Sequence, residues 1–175
     1  NKNHNIQLHQ MRLRLKILKK LNYIQNSQLT NKGIFAKNIY GYELPISELF
    51  SSGFLEKLDE RQLGILCLAI VYEPRPKTKK PPLTRELKYL HLQTNRITRK
   101  IHLIEKKTGV SPISKSFYYD LSYSLFEWME GLSFEKILEK LDFDEGEVIR
   151  FYRMGIQILR EILETPISSE FKKKV

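Results

Sequence analysis

The sequence predicts an all-α fold: a helical bundle with a short N-terminal hairpin excursion and a helix-turn-helix-like pair near the C-terminus. Three observations carry this expectation. Apolar residues recur three and four apart through most of the 175 residues. One stretch, LGILCLAIVY (63–72), is apolar nearly all round, as a helix at the centre of a bundle should be. Turn residues (Gly, Pro, Asn and Asp) separate these periodic stretches, and no internal repeat is present.

Along residues 6–21, Met11, Leu15 and Leu18 keep helical spacing, with Leu8 one turn earlier. Arg12, Arg14, Lys16, Lys19 and Lys20 surround that stripe. NYIQNSQLTNKG then breaks the pattern. Tyr23, Ile24 and Leu29 flank a polar turn, which predicts a hairpin or extended excursion. A short helix follows in NKGIFAKNI. ELPISELFSSGFLEKL reads as two helical turns interrupted at Gly53, with Pro45 near a helix start, where its missing N–H is tolerated. Asp59 is the expected cap of the apolar central helix.

Residues 74–83, PRPKTKKPPL, hold four prolines and four basic residues and cannot make a regular element. Beyond them, Leu83, Leu87, Leu90, Thr94, Ile97, Ile101 and Ile104 predict a long helix with one narrow apolar seam. Its other faces carry Arg85, Lys88, Arg96, Arg99, Lys100, Lys106 and Lys107, and Gly109 is the expected stop. SKSFYYDLSYSLFEWMEG (114–131) reads as an aromatic-rich helix closed by Gly131, and SFEKILEKL as a short helix capped by Ser133. A last helix spans Phe143 to Ile162, and Asp144 with Glu147 imitates a capping box at its start.

Composition narrows the function. At 41% hydrophobic the chain can bury a core and is not compositionally disordered. Its +10 formal charge favours a polyanion, either nucleic acid or an anionic membrane surface; the alternative is a soluble basic protein with neither. The single cysteine, Cys67, cannot form an intrachain disulfide and reads as a core thiol. His4, His9, His91 and His102 show no metal spacing. There is no membrane-spanning stretch and no secretory hydrophobic core, so a cytoplasmic protein without membrane attachment is expected. The chain opens on Asn1 rather than methionine, which suggests a segment of a longer polypeptide.

No GxxxxGK[ST] phosphate loop, nucleophile elbow or metalloprotease helix is present, and carboxylates such as Glu43 and Glu48 read as solvated faces. No catalytic site is recognisable. The last helix is the informative element. At about 100° per residue, Arg150, Arg153, Met154, Gln157, Arg160, Glu161 and Glu164 share one side. Val148, Tyr152, Gly155, Ile156, Leu159, Ile162 and Leu163 share the other. An exposed methionine among arginines suits base faces without reading their sequence. It suits almost as well a contact with another domain. For Arg150 an internal salt bridge with Glu127 or Glu130 is as good a reading. Trp128 reads as core or helix-hairpin packing.

Taken in order, several segments form a wider pattern. They are Leu21 to Tyr23, Lys32 to Ala36, Glu43 to Leu49, Trp128 to Gly131, and Gly146 to Arg150. From about Met11 to about Glu164 the chain resembles the C-terminal helical domain, or DSHCT domain, of superfamily 2 DExH RNA helicases of the exosome-associated type. It departs from that pattern at Asn22, where the family usually has glycine, and in the insert at residues 74–82.

The resemblance implies a helix–hairpin region over 1–40 that continues from an upstream domain, a DSHCT-like bundle over 41–165 and a basic tail over 166–175. It implies an accessory role, guiding single-stranded RNA along a ratchet-like helix, Gly146 to Glu164. Met154 and Gln157 would lie near the bases, although the family often has a basic residue at the position of Met154. Motor domains of the same polypeptide would bind ATP and Mg, and RNA-degradation machinery would be a partner. Cofactors are expected to be absent from this chain itself. Two other readings stand beside it: a helix-turn-helix DNA-binding regulator with Ser133 to Arg153 as reader, and a basic helical interaction module.

Overall fold

A computed structural model describes residues 2–76 and 83–175. Most of the Pro/Lys-rich insert lies outside the described residues. Helix α1 (Lys2–Lys20) leads into a two-stranded antiparallel hairpin, β1 (Ile24–Gln25) and β2 (Gln28–Leu29). Then come α2 (Asn31–Ala36), α3 (Glu43–Ser51), a 3₁₀ turn (Leu55–Lys57) and α4 (Glu60–Val71). The long α5 (Arg85–Thr108), α6 (Ser122–Met129), α7 (Phe134–Lys140), α8 (Glu145–Leu163) and α9 (Ser169–Lys174) complete the all-α bundle.

The hairpin turns on Asn26 and Ser27, both at positive φ, as a two-residue turn matched to strand twist requires. Asn22 also has φ +60°. Asparagine tolerates this left-handed conformation better than most residues, which explains how it stands in a glycine-like position. Gly33 has a different constraint. A Cβ there would collide with the carbonyl oxygen of Tyr23, so only glycine lets α2 pass so close to the hairpin. Lys32 locks the same corner. Its ammonium donates to the Leu21 carbonyl at 3.0 Å, pairs with Glu48 of α3 and lies 4.5 Å from the centroid of the Tyr23 ring. The Tyr23 hydroxyl donates to Glu48 Oε1 at 2.8 Å. Burial first, and the Glu48 charge second, hold that phenol far above its ordinary value.

Helix α4 starts with a complete capping box: the Asp59 side chain accepts from the Gln62 amide, and the Gln62 side chain accepts from the Asp59 amide. From Ile65 to Tyr72 every residue is buried, so α4 is the central rod of the core. Cys67 is fully buried there, and burial pushes its thiol up to about 12. Helices α6 and α8 pack on α4, α3 packs on α2 and α5, and α1 lies along α5. Helix α5 ends at Gly109 in the left-handed conformation (φ +83°), with its amide bonded to the Glu105 carbonyl at 2.9 Å.

Two local expectations are corrected. The helix expected over 114–131 forms only from Ser122. Residues 113–119 run extended, with Phe117 and Tyr119 buried and Tyr118 between them outward. That alternation of faces is the strand period, and the Tyr118 amide donates to the Ala69 carbonyl at 2.8 Å, satisfying an orphan acceptor at the end of α4. The capping box expected at Asp144 is not formed: Asp144 makes no side-chain cap bond, and Glu147 forms an ion pair with Arg75. The residues at 166–175 include α9, whose Phe171 is buried in the core.

Candidate nucleic-acid interface

Helix α8 is the best-anchored surface element. Val148, Phe151, Gly155, Ile158 and Ile162 are buried and form the side against α4. The last four recur three and four apart, which places the opposite side outward. Gly155 makes the approach close. A Cβ at this position would sit 3.4 Å from the Leu68 amide nitrogen, the limit of ordinary contact. At the N-terminus the Glu147–Arg75 pair adds a further tie.

The outward side carries Arg150, Arg153, Gln157 and Arg160, all exposed. Among the described residues no carboxylate forms an ion pair with these three arginines. The internal salt bridge considered for Arg150 is absent, because Glu127 pairs with Lys140 and Glu130 with Arg61. Arg150 instead places its guanidinium 4.8 Å from the centroid of the Phe151 ring. Its charge also reaches Glu73. That carboxyl is held below its ordinary value first by the hydrogen bond and charge of Lys115, with Arg150 contributing last. Gln157 donates to Glu161 Oε1 at 3.3 Å, and Glu161 also accepts from the Tyr40 amide at 3.0 Å. The amide at the centre of the face is therefore oriented by a residue fixed to the α2–α3 connection.

Met154 is not the fully exposed side chain expected. It is half-buried and packs against the core edge. With Gly146, Ile149, Arg150, Arg153 and Gln157 it lines a shallow depression. Gly146 and Ile149 join the site only in the structure, although they lie one turn before Arg150 and Arg153, so helical spacing contained the signal.

The other flank of α8 also departs from expectation. Ile156 is 43% exposed, and Phe151 and Ile158 take the buried positions. Ile156, Tyr152 and Leu159 line an apolar groove with Leu68, Leu125 and Trp128. Trp128 is 46% exposed; its ring lies 5.7 Å from that of Tyr152, so it packs across the helix pair without entering the core. The Tyr152 hydroxyl lies 2.9 Å from Ser124 Oγ, and burial is the main cause of its raised pKa. Among the described residues, no group of three or more His, Cys, Asp or Glu side chains is placed to hold a metal ion, and no helix is long and apolar enough to cross a membrane.

The fold is an all-α bundle in which α8, packed on α4, presents Arg150, Arg153 and Arg160 without an ion-paired carboxylate among the described residues. The chain belongs to the DSHCT (NUC185) domain family, whose model matches residues 26–175. It is 29% identical over 158 residues to the antiviral helicase SKI2 of Saccharomyces cerevisiae, a match covering 85% of this chain and 12% of that protein. It is 26% identical over 164 residues to mRNA transport homolog 4 of Caenorhabditis elegans, covering 90% and 16%. It is 24% identical over 165 residues to the ATP-dependent RNA helicase mtr4 of Schizosaccharomyces pombe, covering 91% and 15%. The chain thus spans between 12% and 16% of the length of these relatives.

Proposed function

We propose that this chain is the accessory helical domain of an ATP-dependent RNA helicase, and that the outward face of α8 guides single-stranded RNA. One observation carries the reading. Among the described residues, Arg150, Arg153 and Arg160 form no ion pair with a carboxylate; Arg150 and Arg153 line a depression with Met154, and Arg160 follows on the same outward side of a helix whose opposite side is held against the central rod of the fold. Cations supply phosphate attraction that is independent of sequence. A polarisable apolar side chain supplies contact with base faces, and neither element discriminates between bases. The membership in the DSHCT family supports the helicase context. ATP and Mg would be held by motor domains elsewhere in the polypeptide, and RNA-degradation machinery would be a partner of the whole enzyme. The helix-turn-helix regulator is not favoured by the family match across residues 26–175.

The test is RNA-stimulated ATP hydrolysis by the complete polypeptide. Arg153→Ala with Arg160→Ala should lower RNA affinity evenly across sequences and reduce its salt dependence by about one for each phosphate no longer held. Unchanged RNA affinity and salt dependence in a normally folded double variant would remove α8 from the RNA path.

A further inference from the structure

The longest helix has a second cationic face. In α5, Leu87, Leu90, Thr94, Thr98, Ile101 and Glu105 are buried, and these positions share one side. Arg85, Lys88, Arg96, Arg99, Lys100, Lys106 and Lys107 are exposed and centre on the opposite side. The 24 residues of the helix make a stripe roughly 35 Å long at a rise of about 1.5 Å per residue. Neither carboxylate of α5 neutralises it. Glu86 is taken by Arg61 and Gln62, and Glu105 is buried and accepts from the Ser114 hydroxyl and amide. No described carboxylate forms an ion pair with any of the seven cations. Helix α1, packed alongside, adds exposed Arg12, Lys16 and Lys19 and has no acidic residue. Helix α5 packs on α3 and α1 whereas α8 packs on α4, so the two cationic faces belong to different walls of the bundle.

We propose that the outward face of α5 is a second phosphate-binding surface, and that it holds the backbone of an RNA duplex. The inference rests on the reading that this domain handles RNA, but through a different helix. Charge complementarity selects a polyanion. Shape selects the duplex. The cations of α5, with those of α1 beside them, are strung along helix axes, and Tyr89 is the one exposed tyrosine of α5, whereas single-strand sites combine a groove with a series of aromatic platforms. Duplex RNA is recognised through its shape and its phosphates, which a straight row of Lys and Arg can follow. An anionic membrane is a poorer match. An interfacial helix inserts its apolar side, and that side of α5 is buried in the bundle. On the cationic face the exposed Tyr89 and Leu92 lie within one turn of each other and Leu103 stands about three turns beyond, too scattered to form an apolar side.

The experiment titrates the 175-residue chain against a labelled hairpin duplex RNA and an unstructured oligouridylate at several salt concentrations. The triple variant Arg96→Gln, Arg99→Gln, Lys100→Gln should weaken duplex binding about tenfold and lower its salt slope by about two to three. Its oligouridylate binding should stay within about twofold. A charge-keeping variant, Arg96→Lys with Arg99→Lys, should bind the duplex like the parent and so separates charge from fold. Arg153→Ala with Arg160→Ala should show the reverse preference. Loss of oligouridylate binding in that double variant, with no duplex change in the triple, overturns the α5 surface and leaves the α8 reading standing. Loss in the triple alone does the opposite. Equal loss of both RNAs in the triple, or α5-dependent binding to phosphatidylserine vesicles in place of duplex, also overturns the proposal.

Discussion

Gly155 of α8 rests directly on the backbone of Leu68 in α4: a Cβ at 155 would lie 3.4 Å from the Leu68 nitrogen and 3.5 Å from its Cα. This contact sets the distance between the central rod and the helix that carries the candidate RNA face. One added methyl fits at the limit of ordinary contact. In a helix, alanine is preferred to glycine by about 0.5–1 kcal/mol.

Gly155→Ala should therefore change stability by no more than about 1 kcal/mol, with propensity offsetting the tight contact. Gly155→Leu should force the helices apart and destabilise by about 1–3 kcal/mol or more. Thermal melting of the two variants checks this. Equal tolerance of both would show that α8 does not sit so close to α4.

At the N-terminal corner the order is reversed. Gly33→Ala has no room, because the Tyr23 carbonyl occupies the place of the Cβ. It should destabilise by about 1–3 kcal/mol or more despite alanine's better helix propensity. Tyr23→Phe removes a hydrogen bond to a carboxylate that keeps Lys32 as a partner, and should lose about 1–2 kcal/mol. Urea denaturation of both variants measures the two losses. A Gly33→Ala protein as stable as the parent would contradict the close approach.

Among the site residues, stability and RNA binding should separate. Arg153→Ala and Arg160→Ala remove exposed side chains and should shift stability by less than about 0.5 kcal/mol. Met154→Ala removes a half-buried side chain that packs on the core, so it should lose about 1–2 kcal/mol, below the range for a fully buried methionine. Its effect on RNA should be at most the ~1–3 kcal/mol of one stacked base. Early unfolding of the arginine variants, with normal activity in the folded remainder, would make this face structural.

Cys67 should be inert in the native protein. Burial raises its thiol from 9.0 to about 12, so little thiolate forms near neutral pH. A thiol reagent at pH 8 should react slowly until denaturant is added; rapid native reaction would contradict the burial. A raised folded value means that the protonated thiol's contribution to stability is intact below about pH 9. It is lost as pH rises from there toward about 12. The raised phenols of Tyr23 and Tyr119 act in the same direction, so denaturation midpoints should fall on the alkaline side.

Much of the fold is legible in the chain itself. Local chemistry decides the Asp59–Gln62 capping box, the Gly109 stop and the hairpin turn at Asn26 and Ser27, because each is closed by residues a few positions apart. The apolar run from Leu63 to Tyr72 determines its own place at the centre, since no face of that helix could remain in water. Helical period likewise puts Arg150, Arg153, Gln157 and Arg160 on one outward side of α8.

Tertiary structure alone decided what covers the flanks. A period of 3.6 residues says which side chains share a face, but not which neighbour arrives beside them. Met154 is half-buried and Ile156 exposed because the surrounding helices close over one edge of α8 and leave a groove at the other. Glu147 abandons its local cap for Arg75, far away in sequence. Residues 114–119 give up the expected helix because the end of α4 presents a carbonyl for Tyr118 and a core for Phe117 and Tyr119. These choices depend on partners brought together by chain folding, and spacing along the sequence carries no record of them.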